Sequence, residues 1–133
     1  MIRKNITLRS HEHQELIDIT AKINELIKKE HISTGFCIVF VPHTTAAVII
    51  NEGADPEVKH DILSTLSRLI PRDGGYHHAE GNSDAHIKTS LLGSSEFIGI
   101  ENNQLSLGTW QHMFFYEGDG PRIRRVIVYL STD

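Results

Sequence analysis

The chain is poor in the features that would classify it at a glance. Of its 133 residues only one, Cys37, is a cysteine, so no intrachain disulfide can form and no multi-cysteine metal knuckle is available. Cys37 lies in the apolar run from Phe36 to Val41 with no cationic neighbour in sequence. It reads as a buried structural thiol of a reducing compartment. There is no HExxH pair, no Walker loop and no dinucleotide fingerprint, which removes the usual sequence support for zincins and nucleotide enzymes. No apolar stretch is long enough for a membrane span, and the opening MIRKNITL holds no signal-peptide core, so a cytoplasmic protein without membrane association is expected. The formal net charge of −4 argues against nucleic-acid binding, which calls for a basic face.

What the chain has instead is histidine, nine in all. His43, His77, His78, His86 and His112 fall in or beside loops, where binding groups are usually mounted. His11, His13, His31 and His60 read as surface or edge residues.

Hydrophobic periodicity predicts one α+β domain over residues 1–133, mostly antiparallel sheet with two main amphipathic helices and one short helix. A half-buried strand is expected over Ile2–Leu8. Helical spacing of Leu16, Ile17, Ile19, Ile23, Leu26 and Ile27 predicts a helix over Glu15–Glu30. Gly35–Val41 and Ala46–Ile50 read as buried strands on either side of Pro42, His43, Thr44 and Thr45. Asp55–Pro56 signals the start of a second helix running to Pro71. Pro71–Ser83 has no period, and Ala85–Leu92 reads as a short helix closed by Gly93. Strands follow over Phe97–Ile100, over Leu105–Glu117 with an interruption at Gly108, and over Arg122–Leu130. In the last of these Arg122 and Arg124 share one face and Arg125 takes the other.

The run from Val41 to Glu57 gathers a histidine, two hydroxyls, an amide and carboxylates at strand ends, and is the first candidate site. His43, His78 and His86 come from three loop-flanked segments and could together leave an open position on a divalent metal such as zinc. Local hydrogen bonding of each ring is the competing reading, and His77 or His112 could replace any of the three. Glu52, Asp55 and Glu80 read as general bases or as groups orienting a ligand histidine, and equally as caps and solvated charges. Thr44, Thr45 and Ser90 offer hydroxyls, while Lys88 and the arginines offer charge, a composition suited to a small phosphorylated metabolite.

Three blocks, HTTAAVIINEGADPEV, YHHAEGNSDAHIKTSLLGSS and LSLGTWQHMFFYEGDGPRIRRV, closely resemble the YjbQ-type family, also called secondary thiamine-phosphate synthase. They cover most of the chain beyond the first predicted helix. The resemblance implies a homotrimer of small α+β subunits with polar pockets near subunit boundaries. It also implies joining of a pyrimidine pyrophosphate to a thiazole phosphate, giving thiamine phosphate and pyrophosphate. Carried over position by position, the family pattern falls on His43, Thr44, Asn51, Glu52, Asp55, His78, Glu80, His86, Lys88, Ser90, Thr109, Trp110, Gln111 and Glu117. On that basis Glu52, Asp55, Glu80 and Lys88 are the catalytic candidates. Thr44, Thr45, Asn51, Ser90, Trp110, Gln111 and Arg125 are the substrate-binding candidates, and His43, His78 and His86 the metal candidates. Trp110 could stack on a heteroaromatic ring or fill the core. A metal-dependent hydrolase and a non-catalytic trimer binding small anions are the alternative functions.

Overall fold

A computed structural model describes residues 1–132, so position 133 of the expected single domain lies outside the described residues. Two antiparallel sheets form its frame. The larger has strand order β1 (Ile2–Arg9), β8 (Ile123–Thr132), β3 (Gly35–Phe40), β5 (Ser95–Glu101) and β6 (Gln104–Leu105). The smaller has β2 (Glu15–Asp18), β7 (Gln111–Glu117) and β4 (Ala46–Glu52).

Alternation along β4 and β7 explains how the smaller sheet is buried on both faces. Val48, Met113 and Phe115 point into the main core, shared with Cys37, Val39, Val126 and Val128 of the larger sheet and with Ile23 and Ile27 of α1 (Thr20–Lys29). Ala47, Phe114 and Tyr116 point the other way, where Ile62, Leu63 and Leu66 of α2 (Pro56–Leu69) and Leu92 of α3 (Ser83–Leu92) pack on them. A strand buried on both sides carries a continuous apolar run, as Met113–Tyr116 does. Among the described residues no helix is long and apolar enough to cross a membrane.

Two predicted boundaries are corrected. Glu15–Asp18 is a strand and not the first turn of a helix: it pairs with β7, Leu16 opposite Tyr116 and Ile17 opposite Phe115. Leu16 joins the outer cluster while Ile17 packs on the main core, the two-residue alternation of a strand. Apolar residues at 16, 17 and 19 satisfy both periods, and the free edge of β7 decides between them. The chain turns helical at Thr20, whose Oγ1 accepts the Met113 N–H at 2.8 Å. The second correction concerns Leu105–Glu117. It is not one interrupted strand, because Leu105 ends in the larger sheet and Gln111 begins in the smaller one. The turn between them is closed by the Gly108 N–H donating to Gln111 Oε1 at 2.8 Å.

Candidate functional site

The connection between β3 and β4 builds the floor of a cleft. Pro42 has no N–H to continue the ladder, so the chain leaves the larger sheet after Phe40 and enters the smaller one at Ala46. His43, Thr44 and Thr45 bridge the two. Two adjoining cavities, of about 580 and 380 Å³, share His43, Thr44 and Ser94 and together make one cleft. Asn82, Arg122 and Arg124 line the first, and His86, Thr89 and Ser90 line the second. Thr89 Oγ1 donates to the Thr44 carbonyl at 2.8 Å, which ties α3 to the loop.

Under the cleft lies a buried charge network. Arg124 donates from Nε to Glu117 Oε1 at 2.9 Å, from Nη2 to Glu117 Oε2 at 2.5 Å, and from Nη2 to Thr45 Oγ1 at 2.8 Å. Ser10 Oγ donates to Glu117 Oε1 at 2.7 Å and the Asp119 N–H to Oε2 at 3.0 Å. Burial alone raises the carboxyl pKa, but the bonds from Arg124, Ser10 and the Asp119 amide overcome it and hold Glu117 below its ordinary value. Arg124 Nη1 has no hydrogen-bond partner among the described residues, and the side chain lines the cleft. Arg122, more exposed, is braced by Asp119 through Nη2 to Oδ2 at 2.8 Å.

His43 accepts the Arg125 N–H at Nε2, at 3.1 Å, so the neutral ring carries its proton on Nδ1. Partial burial, followed by the charge of Arg124, lowers its pKa from the ordinary 6.5. A neutral imidazole therefore faces a cationic wall.

His86 and Ser90 lie on one face of α3 and both line the cleft, while Lys88 turns inward. Lys88 is only 3% exposed and donates to Asp84 Oδ2 at 2.7 Å. It does not line the cleft. Arg125 contributes its backbone N–H to His43, and its side chain leaves the cleft to Arg122 and Arg124. Glu80 is exposed, 3.8 Å from His78 Nε2.

The three candidate metal ligands lie in series. His43 and His86 border the cleft, and His86 meets His78 edge-on with ring centroids 5.2 Å apart beside a separate hollow. Among the described residues no three His, Cys, Asp or Glu groups are disposed to hold a metal ion, and His43 Nε2 is already occupied by the Arg125 amide. One chain's histidines do not fit a three-ligand centre as they stand.

A second group of candidates sits at the opposite end of β4. Asn51 and Glu52 face His112 and Gln111 in register, and Asp55 caps α2 by accepting the Glu57 N–H at 2.9 Å. Trp110 is 63% exposed and so is no core residue. Seven residues of extended strand put roughly 20 Å between this end and Thr45. Asn51, Glu52, Trp110 and Gln111 line neither part of the His43 cleft.

Asn82, Thr89, Ser94 and Ser10 complete the cleft and its support without having been candidate site residues, and Arg124 was read only as one of the arginines that offer charge. For Arg124 the signal was its alternation with Arg125. Thr89 follows His86 by three residues, which places it near the same helix face.

A two-sheet α+β frame with a basic, hydroxyl-lined cleft at the mouth of a strand crossover defines the class structurally. The chain belongs to the YjbQ-like UPF0047 protein family, whose model matches residues 4–133. A UPF0047 protein of Methanocaldococcus jannaschii is 48% identical over 126 residues, covering 95% of this chain and 91% of that one. UPF0047 protein YugU of Bacillus subtilis is 40% identical over 122 residues, covering 91% and 92%. The crystal structure of an uncharacterized conserved YjbQ/UPF0047 protein of Clostridium acetobutylicum superimposes with a TM-score of 0.93 at 48% identity, over 96% of this chain and 99% of that one. A hypothetical protein of Aeropyrum pernix superimposes with a TM-score of 0.94 at 34% identity over the full length of both.

Proposed function

We propose that the His43 cleft binds a small phosphorylated metabolite and that the chain carries out the thiamine-phosphate synthase reaction implied by its motifs. The observation that carries this reading is Arg124, clamped by Glu117 and Thr45 with one guanidinium nitrogen left for the cleft. Pre-set cations stabilise a charged leaving group without reorganising as the reaction proceeds. In the reaction the thiazole ring nitrogen attacks the methylene carbon of the pyrimidine. A C–N bond forms, the C–O bond to pyrophosphate breaks, and its electron pair departs with pyrophosphate.

Arg124 and Arg122 take up charge on the departing group, and the Thr44 hydroxyl and the Nδ1–H of His43 are further donors toward it. In a homotrimer, a neighbouring subunit's Asn51, Glu52, Trp110 and Gln111 could close the cleft with an aromatic wall.

Isothermal titration with pyrophosphate, together with a pyrophosphate-release assay on the two phosphorylated substrates, tests the proposal. Binding and turnover in the wild type, with binding weakened about tenfold in Arg122→Ala, is the expected result. Binding without turnover would leave a non-catalytic anion protein. Absence of pyrophosphate binding would remove the proposed function.

A further inference from the structure

We infer that the loop from Arg72 to Gly81, together with the N-terminus of α3, forms a second anion subsite that takes a single phosphate group, an inference that rests on the reading of the chain as a protein of phosphorylated metabolites. A cavity of about 180 Å³ opens here, bordered by Arg72, Gly74, Gly75, His78, Gly81 and Ser83. It is much smaller than either part of the His43 cleft and shares none of their lining residues.

Two independent features point to a ligand. The first is the open helix end. Asn82 sits at the cap position of α3 without a side-chain cap bond, and the N–H groups of Ser83 and Asp84 have no acceptor among the described residues. Free amides at the positive end of a ten-residue helix favour an anion. Asp84 would oppose it; its Oδ2 accepts from Lys88 inside the fold, while its buried Oδ1 has no partner among the described residues. The second feature is Ser83 itself. The residue lines the cavity and is only 7% exposed, and its buried Oγ has no hydrogen-bond partner among the described residues. A buried hydroxyl without a partner is a standing deficit that a ligand oxygen would remove.

The loop is made to leave its backbone accessible. Gly75 and Gly81 have φ of +69° and +83°, and beyond the adjoining residues no atom of the described residues lies within 4 Å of where a Cβ would stand. Tyr76 braces the turn by donating from its hydroxyl to the Pro71 carbonyl at 2.6 Å. Arg72 supplies the fixed positive charge. Asp73 also lines the cavity and Glu80 stands 3.8 Å from His78, so the anion is held by Arg72 and the helix amides against two nearby carboxylates.

What lies between the subsite and the cleft narrows the ligand class. An apolar hollow of about 380 Å³, bordered by Tyr76, His77, His78, His86 and Ile87, shares Tyr76, His78 and Ser83 with the subsite and His86 with the cleft. An anion pocket, an aromatic-lined hollow and a second anion pocket thus follow one another. That order fits a planar heterocycle carrying a phosphate monoester, bound beside a second phosphorylated reactant in the cleft.

The test is a titration of the full chain with inorganic phosphate, read on backbone amides in two-dimensional proton–nitrogen NMR spectra at constant chloride-balanced ionic strength. The expected result is two separable responses, one at Gly74, Gly75, Ser83 and Asp84 and the other at Thr44, Thr45 and Arg125. Arg72→Gln should raise the loop dissociation constant about tenfold and leave the cleft response unchanged. Ser83→Ala should weaken the loop response with the spectrum otherwise native; a Ser83→Ala protein with unchanged phosphate affinity would assign the hydroxyl to internal water and overturn its role. Shifts at Thr44 and Thr45 without shifts in the loop would overturn the second subsite while keeping the proposed function. Loop shifts without cleft shifts would do the reverse.

Discussion

Arg124 and Glu117 face each other across the turn between β7 and β8, joined through two guanidinium nitrogens, with Glu117 wholly buried and Arg124 6% exposed. Such a pair is not a strong net source of stability, since both ions lose their hydration, but removing one partner strands the other. Arg124→Met should therefore destabilise the fold by about 3–5 kcal/mol. The double variant Arg124→Met/Glu117→Met should recover more than half of that loss. Urea denaturation with unchanged m-values measures both, and a single variant as stable as wild type would remove the network from the account of the cleft.

The pH dependence has a defined sign. His43 titrates below its ordinary 6.5 in the folded chain, because of burial first and Arg124 second. Its contribution to stability is whole above 6.5 and falls as pH drops through the lowered folded value. Glu117 adds a second loss further down: its contribution is full above 4.5 and disappears as pH falls through its lowered folded value. Histidine ring shifts followed by NMR should give His43 a midpoint below 6.5, and Arg124→Met should move that midpoint upward. A midpoint at or above 6.5 in the wild type contradicts the cleft electrostatics.

Cys37 should be silent in the native protein. It has no exposed surface, and burial pushes its thiol up to about 12. A thiol reagent at neutral pH should leave native protein unmodified and label one group per chain after denaturation. Cys37→Ser should cost about 1–3 kcal/mol by burying a hydroxyl among apolar side chains.

Asp55 is a helix cap first. Asp55→Ala should lower stability by about 1 kcal/mol, whereas Asp55→Asn should keep most of it. Neither should change pyrophosphate affinity if the cleft of a single chain binds the ligand. Lost affinity in Asp55→Asn, with stability kept, would bring the far end of β4 into the binding site and point to a neighbouring subunit.

The legibility of the chain followed the strength of local signals. The Asp55–Pro56 start of α2 and Gly93 after α3 were readable because capping chemistry is written in adjacent residues. The strand at Glu15–Asp18 was not, since its helical and extended patterns coincide and only pairing with Tyr116 and Phe115 separates them. In the candidate site the His43, Thr44 and Thr45 loop was legible as residues between two strands. The inward turn of Lys88 toward Asp84 was not: Lys88 reads in sequence as charge offered to an anion, and only packing puts both residues inside. Thr44 and Arg124 are brought together by sheet topology, about which neither one's neighbours in sequence carry information.

Strand β4 acts as a ruler. Its pairing with β7 runs without a break from Ala46 opposite Glu117 to Glu52 opposite Gln111. Side chains repeat every second residue, so a slip by one position would exchange the two faces of the strand. Val48 would leave the main core and Ala47 would replace it. Hydrophobic burial in the middle of the strand thereby sets the angular phase of the polar groups at both tips, and neither the Thr45 tip nor the Asn51 tip can be re-aimed independently of the other.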